Sequence, residues 1–312
     1  STSLNIGYTN SGNSDADGFS MVGNPYPSTI DWDAVSGWTK TNVDDAIYIF
    51  DADQGQYMSY VEGVGTNGGS RYIPAQQGFY VKANAASPAL SITEDVKVNV
   101  DQAFKGTQPM HPESIVRIKL NGAGYSDESV IRFNEMASNN FDSRWDALKQ
   151  ASTVSAAPYL STITNAESYS INGLPVDSSL VIPVLVKVGV NGVYTLKIED
   201  EDDYFANKCV VLEDLQTGAM RNIAIDTLYT FNMIDTTEAP RFLIHVGASI
   251  KGTGKPVSCF DGNDGSIIAK GTGVGPWTYE WVDPFGQTIA TNVGLFTADT
   301  LSSLDAGIYT VK

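Results

Sequence analysis

Short runs of alternating apolar and polar residues recur along almost the whole chain and constrain its fold most. Residues 114–120, 129–133 and 192–199 are examples, and residues 56–61 are a further run predicted as a strand. Alternation puts the apolar side chains on one face of a strand, so that one face of the sheet is buried. Clusters of Gly, Asn, Asp, Pro and Ser separate the runs, as sharp turns require. The pattern predicts an all-β fold of consecutive antiparallel β-sandwich regions.

Residues 259–312 form one small β-module by the same criteria. The module begins with the turn cluster CFDGNDG, continues with the alternating run PWTYEW, and ends with LDAGIYTVK. The Asp305-Ala306-Gly307 turn predicts a hairpin into a last strand that has barely begun at residue 312. A sheet without its closing strand exposes a free edge. We therefore expect an incomplete immunoglobulin-like module within a longer protein.

One segment has a helical pattern, and two loop-rich segments divide the chain. Trp145, Leu148 and Ala151 recur at helical spacing after an Asp-Ser cap, which predicts one helix over residues 143–154. Residues 101–112 and 248–256 have the Gly and Pro content of linkers. We predict a β-rich region at 1–106, a β-sandwich-like domain with one short helix at 107–250, and the truncated module at 251–312.

Charge and residue counts exclude several classes of function. The chain has 36 acidic and 19 basic residues and a net charge of −17, which disfavours nucleic acid and anionic membrane surfaces. No run approaches the ~18 apolar residues of a membrane span, so direct membrane insertion is not expected. Such a charge suits an extracellular protein that stays soluble or attracts divalent cations.

The residues of nucleophilic catalysis are scarce. Of the two histidines, His245 alternates within a strand and His111 lies in a Met-His-Pro-Glu loop, which indicates structural roles. Cys209 and Cys259 are expected to be small buried hydrophobic residues, and a bridge between them is left open. No nucleophile elbow or phosphate loop is present. We therefore predict a chain that is not an enzyme.

Carboxylates are abundant but their sequence pairing is not informative. Asp31/Asp33 and Asp44/Asp45 are pairs that 36 acidic residues would produce by chance, and a glycosidase needs two carboxylates across one cleft. The acidic run at residues 199–203 is expected to be a solvated hairpin loop.

Calcium is the most specific ligand that the sequence suggests. Asn13, Asp15 and Asp17 place oxygen ligands at alternate positions, and Gly18 is the sixth residue of an EF-type loop. The twelfth residue is Asn24 instead of a bidentate glutamate, so the motif is incomplete. Residues 51–55 and 261–265 resemble it less. Turns use the same residue types, so an ordinary turn is the alternative.

Two sets of aromatic residues are candidates for a binding surface. Trp277, Tyr279 and Trp281 project from one face of a strand, either as a sugar-stacking platform or, as we favour, as the core that a small module needs. Tyr26, Trp32 and Trp38 flank a proline turn and are candidates to line a surface groove.

Three strings of residues resemble a known class of proteins. Residues 19–33 are FSMVGNPYPSTIDWD, and residues 65–82 are GTNGGSRYIPAQQGFYVK. This order resembles a region of large secreted and cell-surface proteins of Bacteroidota, which the type IX secretion system exports. Residues 140–149, NFDSRWDALK, and residues 241–246, RFLIHV, are similar to the same proteins. The module at 251–312 resembles the SprB-type repeat of a gliding-motility adhesin.

The resemblance implies a place and a transport route, not a chemistry. It implies an extracellular or cell-surface location, passage through the type IX translocon, and a role in cell adhesion or gliding motility. We expect a non-catalytic adhesin or surface-structural segment, with polysaccharide or cell-surface glycans as its partners and no cofactor beyond possible calcium. An accessory region of a secreted polysaccharide-degrading hydrolase is the alternative. A region that only docks onto the secretion machinery is a third.

Overall fold

The fold is built almost entirely from strands, which confirms the all-β prediction. The computed structural model describes residues 1–12, 16–99, 114–176, 179–205, 208–234, 239–260, 262–272, 277–295 and 297–312. No α-helix occurs in these ranges, and a single 3₁₀ turn covers Glu94–Val96. Thr93 caps this turn by accepting a hydrogen bond from the Asp95 backbone N–H.

The strands fall into three groups along the chain. The first group is β1 (Thr2–Leu4), β2 (Phe19–Gly23), β3 (Ile30–Asp31), β4 (Trp38–Thr41), β5 (Ile47–Asp51), β6 (Gln56–Val61), β7 (Val64–Thr66), β8 (Tyr72–Ile73), β9 (Gly78–Lys82) and β10 (Ala89–Ile92). The second is β11 (Ser114–Gly122), β12 (Tyr125–Phe133), β13 (Ala147–Leu148), β14 (Tyr159–Thr164), β15 (Glu167–Leu174), β16 (Leu180–Lys187), β17 (Gly192–Asp200), β18 (Lys208–Asp214), β19 (Ala219–Asn222), β20 (Leu228–Met233) and β21 (Phe242–Lys255). The third is β22 (Gly265–Thr272), β23 (Trp277–Val282), β24 (Thr288–Leu295), β25 (Asp299–Leu304) and β26 (Thr310–Val311).

The first group forms three small antiparallel sheets around one core. A five-stranded sheet has the order β2-β9-β5-β6-β7, a three-stranded sheet has the order β1-β10-β4, and β3 pairs with β8. Ile30, Trp32, Phe79 and Ile92 are buried between them. Because every second side chain of a strand points to the same face of its sheet, the apolar faces of these short sheets pack against one another.

The second group forms one large sheet with the order β19-β18-β21-β16-β14-β15-β12-β11-β17-β20. Its hairpins have tight two-residue turns: Ala123 and Gly124 join β11 to β12 with φ of 53° and 82°. Asn165 and Ala166 join β14 to β15 with φ of 51° and 68°. Two successive positive φ angles are typical of the type I′ turn, whose twist matches that of paired strands.

The first and second groups share a buried contact. Tyr48 and Val61 of the first group pack in one apolar cluster with Ile115, Val130 and Ile171 of the second. The Tyr48 hydroxyl accepts a hydrogen bond of 3.0 Å from the Leu148 backbone N–H. The two groups are therefore fixed relative to each other by apolar packing and by hydrogen bonds.

The helix predicted over residues 143–154 is wrong. Turns occupy residues 143–145, and β13 (Ala147–Leu148) pairs with β15. The Asp146 carboxylate accepts hydrogen bonds from the backbone N–H groups of Asp142, at 2.7 Å, and Gly173, at 2.6 Å. Tertiary pairing with β15 supplies the backbone hydrogen bonds that a helix would have made, and so it overrides the local spacing.

A continuous strand replaces the linker predicted at residues 248–256. The first half of β21 pairs with β16 and β18, and its second half pairs with β22 from Ser249↔Thr272 to Lys255↔Ser266. The hairpin predicted at Asp305-Ala306-Gly307 is also wrong, because β25 pairs with β22 whereas β26 pairs with β23. This turn carries the chain from one sheet to another.

The aromatic residues of β23 belong to the core of the third group, which is the role we favoured because the module is small. Tyr279 and Trp281 are each 1% exposed, and Trp277 packs against the same cluster. The Trp281 indole N–H donates a 2.7 Å hydrogen bond to Asp299. The rings of Tyr279 and Trp281 are therefore not available as a sugar-stacking platform.

Candidate functional site

A polar cleft of about 470 Å³ lies where the first and second groups of strands meet. We call it the Trp32–Trp145 cleft after the two indoles in its walls. The first group contributes most of its charged side chains, and the second contributes two residues. The charged and aromatic lining residues are Trp32, Asp33, Lys40, Asp45, Glu62, Arg71, Arg132 and Trp145.

One wall of the cleft is Trp32 together with Lys40. Trp32 is 1% exposed, and its indole N–H donates a 2.6 Å hydrogen bond to the Asp45 carbonyl oxygen. The Lys40 ammonium lies 3.7 Å from the centroid of the indole ring and donates a 3.2 Å hydrogen bond to the Trp32 carbonyl oxygen. A cation over an indole face is stabilised by the ring quadrupole. The indole and the ammonium therefore hold each other in place.

A second wall is built on Arg71. Its guanidinium donates hydrogen bonds of 2.6 and 2.7 Å to the two carboxylate oxygens of Asp31. The Asp33 carboxylate accepts a hydrogen bond from the Tyr60 hydroxyl and lies 3.9 Å from the Arg71 Nε. The Asp31 hydrogen bonds raise the pKa of Arg71. Asp31 thus acts as a support that fixes Arg71, while Asp33 faces the cleft.

The opposite wall comes from the second group of strands and from a turn. Arg132 is 1% exposed, and its guanidinium lies 4.7 Å from the Trp145 ring centroid. It donates a 3.3 Å hydrogen bond to the carbonyl oxygen of Glu62. Glu62 and Gly63 are the two turn residues between β6 and β7, with φ of 40° and 85°. The tight turn presents the Glu62 side chain at the mouth, 3.7 Å from Arg144.

Burial perturbs the ionisable groups of the cleft. Desolvation lowers the pKa of Lys40, although the neighbouring carboxylates, chiefly Asp45, oppose this effect. Desolvation likewise raises the pKa of Asp45, against the effect of Lys40. Both charged forms are therefore held in a partly dry environment, where a polar ligand that hydrogen-bonds to them gains more than it would in water.

The predicted calcium ligands are only partly within the described residues. Asn13 and Asp15 lie outside them, and Asp17 lies within. The Asp17 carboxylate accepts hydrogen bonds from the backbone N–H groups of Ser11, at 2.7 Å, and Gly12, at 2.9 Å. Although desolvation acts the other way, the Ser11 hydrogen bonds lower the pKa of Asp17. Calcium at Asn13, Asp15 and Asp17 stays a prediction.

The other singled-out residues lie apart from the cleft. His245 Nε2 is 2.7 Å from a Glu213 carboxylate oxygen on the neighbouring strand, and His111 is outside the described residues. Cys209 and Cys259 are unbridged and exposed, so the expectation that they are buried is wrong. Cys209 is on the outward face of β18, next to the buried Val210.

The acidic run at residues 199–203 is more than a solvated loop. The Asp200 carboxylate accepts hydrogen bonds from the Tyr204 and Phe205 N–H groups, at 2.9 and 2.7 Å. Glu201 accepts one of 2.5 Å from the Arg117 guanidinium. These contacts fix the end of β17 against β11, so the run is a structural element.

Sequence reasoning singled out one lining residue of the cleft, Trp32, as a candidate to line a groove, and it did not assign the other lining residues to a binding site. Trp32 lines the cleft. Trp38 packs edge-on against the Trp32 ring, at 4.7 Å between ring centroids, and Tyr26 packs on the core of the first group. Arg71 and Trp145 lie in the strings that carried the family resemblance, and this was the available signal for them. Nothing in the local pattern singles out Lys40 or Arg132.

Comparisons with known proteins identify one family. Residues 1–246 match the family model described as "Domain of unknown function (DUF8693)". No curated protein and no solved structure matches the chain. In the described part of the chain, no helix has the length and apolar character needed to cross a membrane. The match covers the first group of strands and the second group up to residue 246 in β21, and this part forms the Trp32–Trp145 cleft.

Proposed function

We propose that this chain, which belongs to the DUF8693 family, is a non-catalytic adhesive or surface-structural segment of a secreted, cell-surface protein. Its partners would be polysaccharides or cell-surface glycans, and the type IX translocon during export. The proposal includes the Bacteroidota-type setting and the role in adhesion or gliding motility that the sequence resemblance implies.

The observation that carries the proposal is the continuity of the β-structure from the large sheet into the C-terminal module. β21 is a single strand of 14 residues that belongs to the large sheet at one end and to the C-terminal module at the other. At this junction, a pull along the chain is therefore borne by rows of hydrogen bonds in paired strands. Such continuity suits a segment that holds a binding surface away from the cell.

The polar character of the Trp32–Trp145 cleft also supports a binding role. Its charged side chains lie near one another and hydrogen-bond to neighbouring groups, such as Lys40 to the Trp32 carbonyl oxygen and Arg71 to Asp31. Among the described residues, neither cysteine nor histidine lines it. This composition favours recognition by hydrogen bonds over nucleophilic chemistry.

Two measurements test the proposal. Protease treatment of intact producing cells should remove the protein, because it lies outside the outer membrane. Beads coated with the 312-residue chain should stay on glass coated with mixed cell-wall polysaccharides under flow, and beads with heat-denatured chain should not. Protection from the protease, or equal retention of both kinds of bead, contradicts the proposal. Reducing sugar released by the purified chain would show an enzyme instead.

A further inference from the structure

We propose that the Trp32–Trp145 cleft is a subsite for an uncharged sugar residue of a polysaccharide. The hydroxyl groups of the sugar would hydrogen-bond to both the carboxylates and the cations of the cleft. This inference rests on the adhesive function proposed above and adds the site and the chemical class of ligand.

The first argument is the spacing of the charged pairs at the cleft. Asp33 lies 3.9 Å from Arg71, and Asp45 lies 3.8 Å from Lys40. Some ion pairs elsewhere in the chain are in direct contact, such as Lys149–Asp127, Lys119–Glu199 and Lys197–Glu199, all at 2.6 Å, whereas others, such as Lys119–Glu128 at 3.9 Å, are not. A hydrogen bond between nitrogen and oxygen spans about 2.7–3.2 Å. The two pairs in the cleft are therefore stretched beyond direct hydrogen bonding.

A sugar hydroxyl suits a stretched pair because it donates and accepts at the same time. It can donate to the carboxylate and accept from the neighbouring ammonium or guanidinium. Neighbouring hydroxyls of one sugar ring would then satisfy adjacent pairs, such as Asp33 with Arg71 and Asp45 with Lys40. Hydrogen bonds to charged groups are about twice as strong as those between neutral groups.

The second argument is the balance of charge. The cleft brings three carboxylates, Asp33, Asp45 and Glu62, together with three cations, Lys40, Arg71 and Arg132. Since the whole chain carries −17, a polyanion would be repelled on approach, and the cleft has no excess of cations to compensate. An uncharged ligand avoids this repulsion and leaves the charged pairs balanced.

The third argument is that the site is already ordered. Asp31 holds Arg71 through two hydrogen bonds, and the Tyr60 hydroxyl holds Asp33. The Trp32 face is covered by the Lys40 ammonium at 3.7 Å, so the indole positions the cation instead of stacking on the sugar. Little side-chain freedom remains to be lost on binding, which favours affinity.

The test uses the 312-residue chain with soluble glucan, mannan and galactan, and with polygalacturonate as the anionic comparison. Affinity electrophoresis gives Kd for wild type, Lys40→Met and Asp45→Ala, and thermal melts check that each variant is folded. Lys197→Met is the matched control, because Lys197 also forms an ion pair but is half exposed and outside the cleft. We expect a neutral polysaccharide to bind, each cleft variant to weaken binding at least tenfold, and the control to bind as wild type does.

The outcomes separate this inference from the proposed function. If wild type binds a neutral polysaccharide and the folded cleft variants bind equally well, the cleft is not the site, while adhesion stands. If only polygalacturonate binds, or if 0.5 M salt abolishes binding, the uncharged class is wrong. If no polysaccharide binds, the cleft proposal is overturned, and the bead and protease measurements alone decide the proposed function.

Discussion

Lys149 and Asp127 form a buried ion pair whose removal should be among the most damaging single changes in the chain. Their side chains are 3% and 0% exposed, and the Lys149 ammonium lies 2.6 Å from the carboxylate. Lys149→Met keeps most of the apolar stem of the side chain but leaves the buried carboxylate without its cation. Removing one partner of a buried pair typically costs about 3–5 kcal/mol.

The surroundings of Asp127 place the expected cost at the lower end of that range. Three other N–H donors remain after the substitution: Asn67 Nδ2 at 3.0 Å, Glu128 N at 2.9 Å and Leu160 N at 2.7 Å. Hydrogen bonds to a carboxylate partly replace the lost charge. We therefore expect Lys149→Met to lower the free energy of unfolding by about 3 kcal/mol, roughly a hundredfold in the folding equilibrium.

Urea denaturation followed by tryptophan fluorescence measures this cost. Lys197→Met is the control, because Lys197 lies at the same 2.6 Å from Glu199 but is 48% exposed. An exposed pair contributes about 0–1 kcal/mol, so the control should shift the urea midpoint only slightly. Adding Asp127→Asn to Lys149→Met should recover part of the loss, since the uncompensated charge is then gone. Equal small costs for Lys149→Met and Lys197→Met would refute the reasoning.

Three further predictions concern pH, a turn and the C-terminal module. Desolvation raises the pKa of Asp146 from 3.8 to about 7, so the folded state binds this proton more tightly than the unfolded state does. The free energy of unfolding should therefore fall as the pH rises from about 4 to about 7, by at most about 1.4 kcal/mol per pH unit. Asp146→Asn should flatten this slope in thermal melts, and an unchanged slope would mean that other groups cause it. Ala166 has a φ of 68°, so Ala166→Gly should raise the free energy of unfolding by about 1 kcal/mol. Gly124→Ala, at a φ of 82°, should lower it. A lower free energy of unfolding for Ala166→Gly would contradict the argument from backbone strain. Trp281→Phe removes the hydrogen bond to Asp299 and should speed hydrogen exchange in β22 and β23 but not in β11 and β12; uniform acceleration would mean that the chain unfolds as one unit.

Strand positions were predictable from sequence because alternation is a local signal. Residues 56–61 and 192–199 were predicted as strands, and the structure has Gln56–Val61 and Gly192–Asp200. In Gly192–Asp200 the buried positions alternate, as a sheet with one buried face requires, whereas five of the six residues of Gln56–Val61 are buried. The burial of Tyr279 and Trp281 followed from the same reasoning, applied to a module too small to expose three rings.

The failures share one physical cause, which is that contacts distant in sequence decided the outcome. The spacing of Trp145, Leu148 and Ala151 favours a helix, but β15 was there to pair with Ala147 and Leu148. The glycines and lysines of residues 248–256 are typical of a linker, but β22 provided a partner for every residue from Ser249 to Lys255. Local composition carries no information about either partner strand.

The cleft was harder still to predict, because its two walls come from separate groups of strands. Trp32 and Arg71 are brought together by the pairing of Ile30 with Ile73 and of Asp31 with Tyr72, which joins β3 to β8. Trp145 lies near them because apolar packing and hydrogen bonds, among them the one from the Leu148 backbone N–H to the Tyr48 hydroxyl, join the two groups. The polar site therefore exists only when the shared core is formed. We infer that a change which separates the two groups, without touching a cleft residue, would abolish ligand binding as fully as a change in the cleft itself.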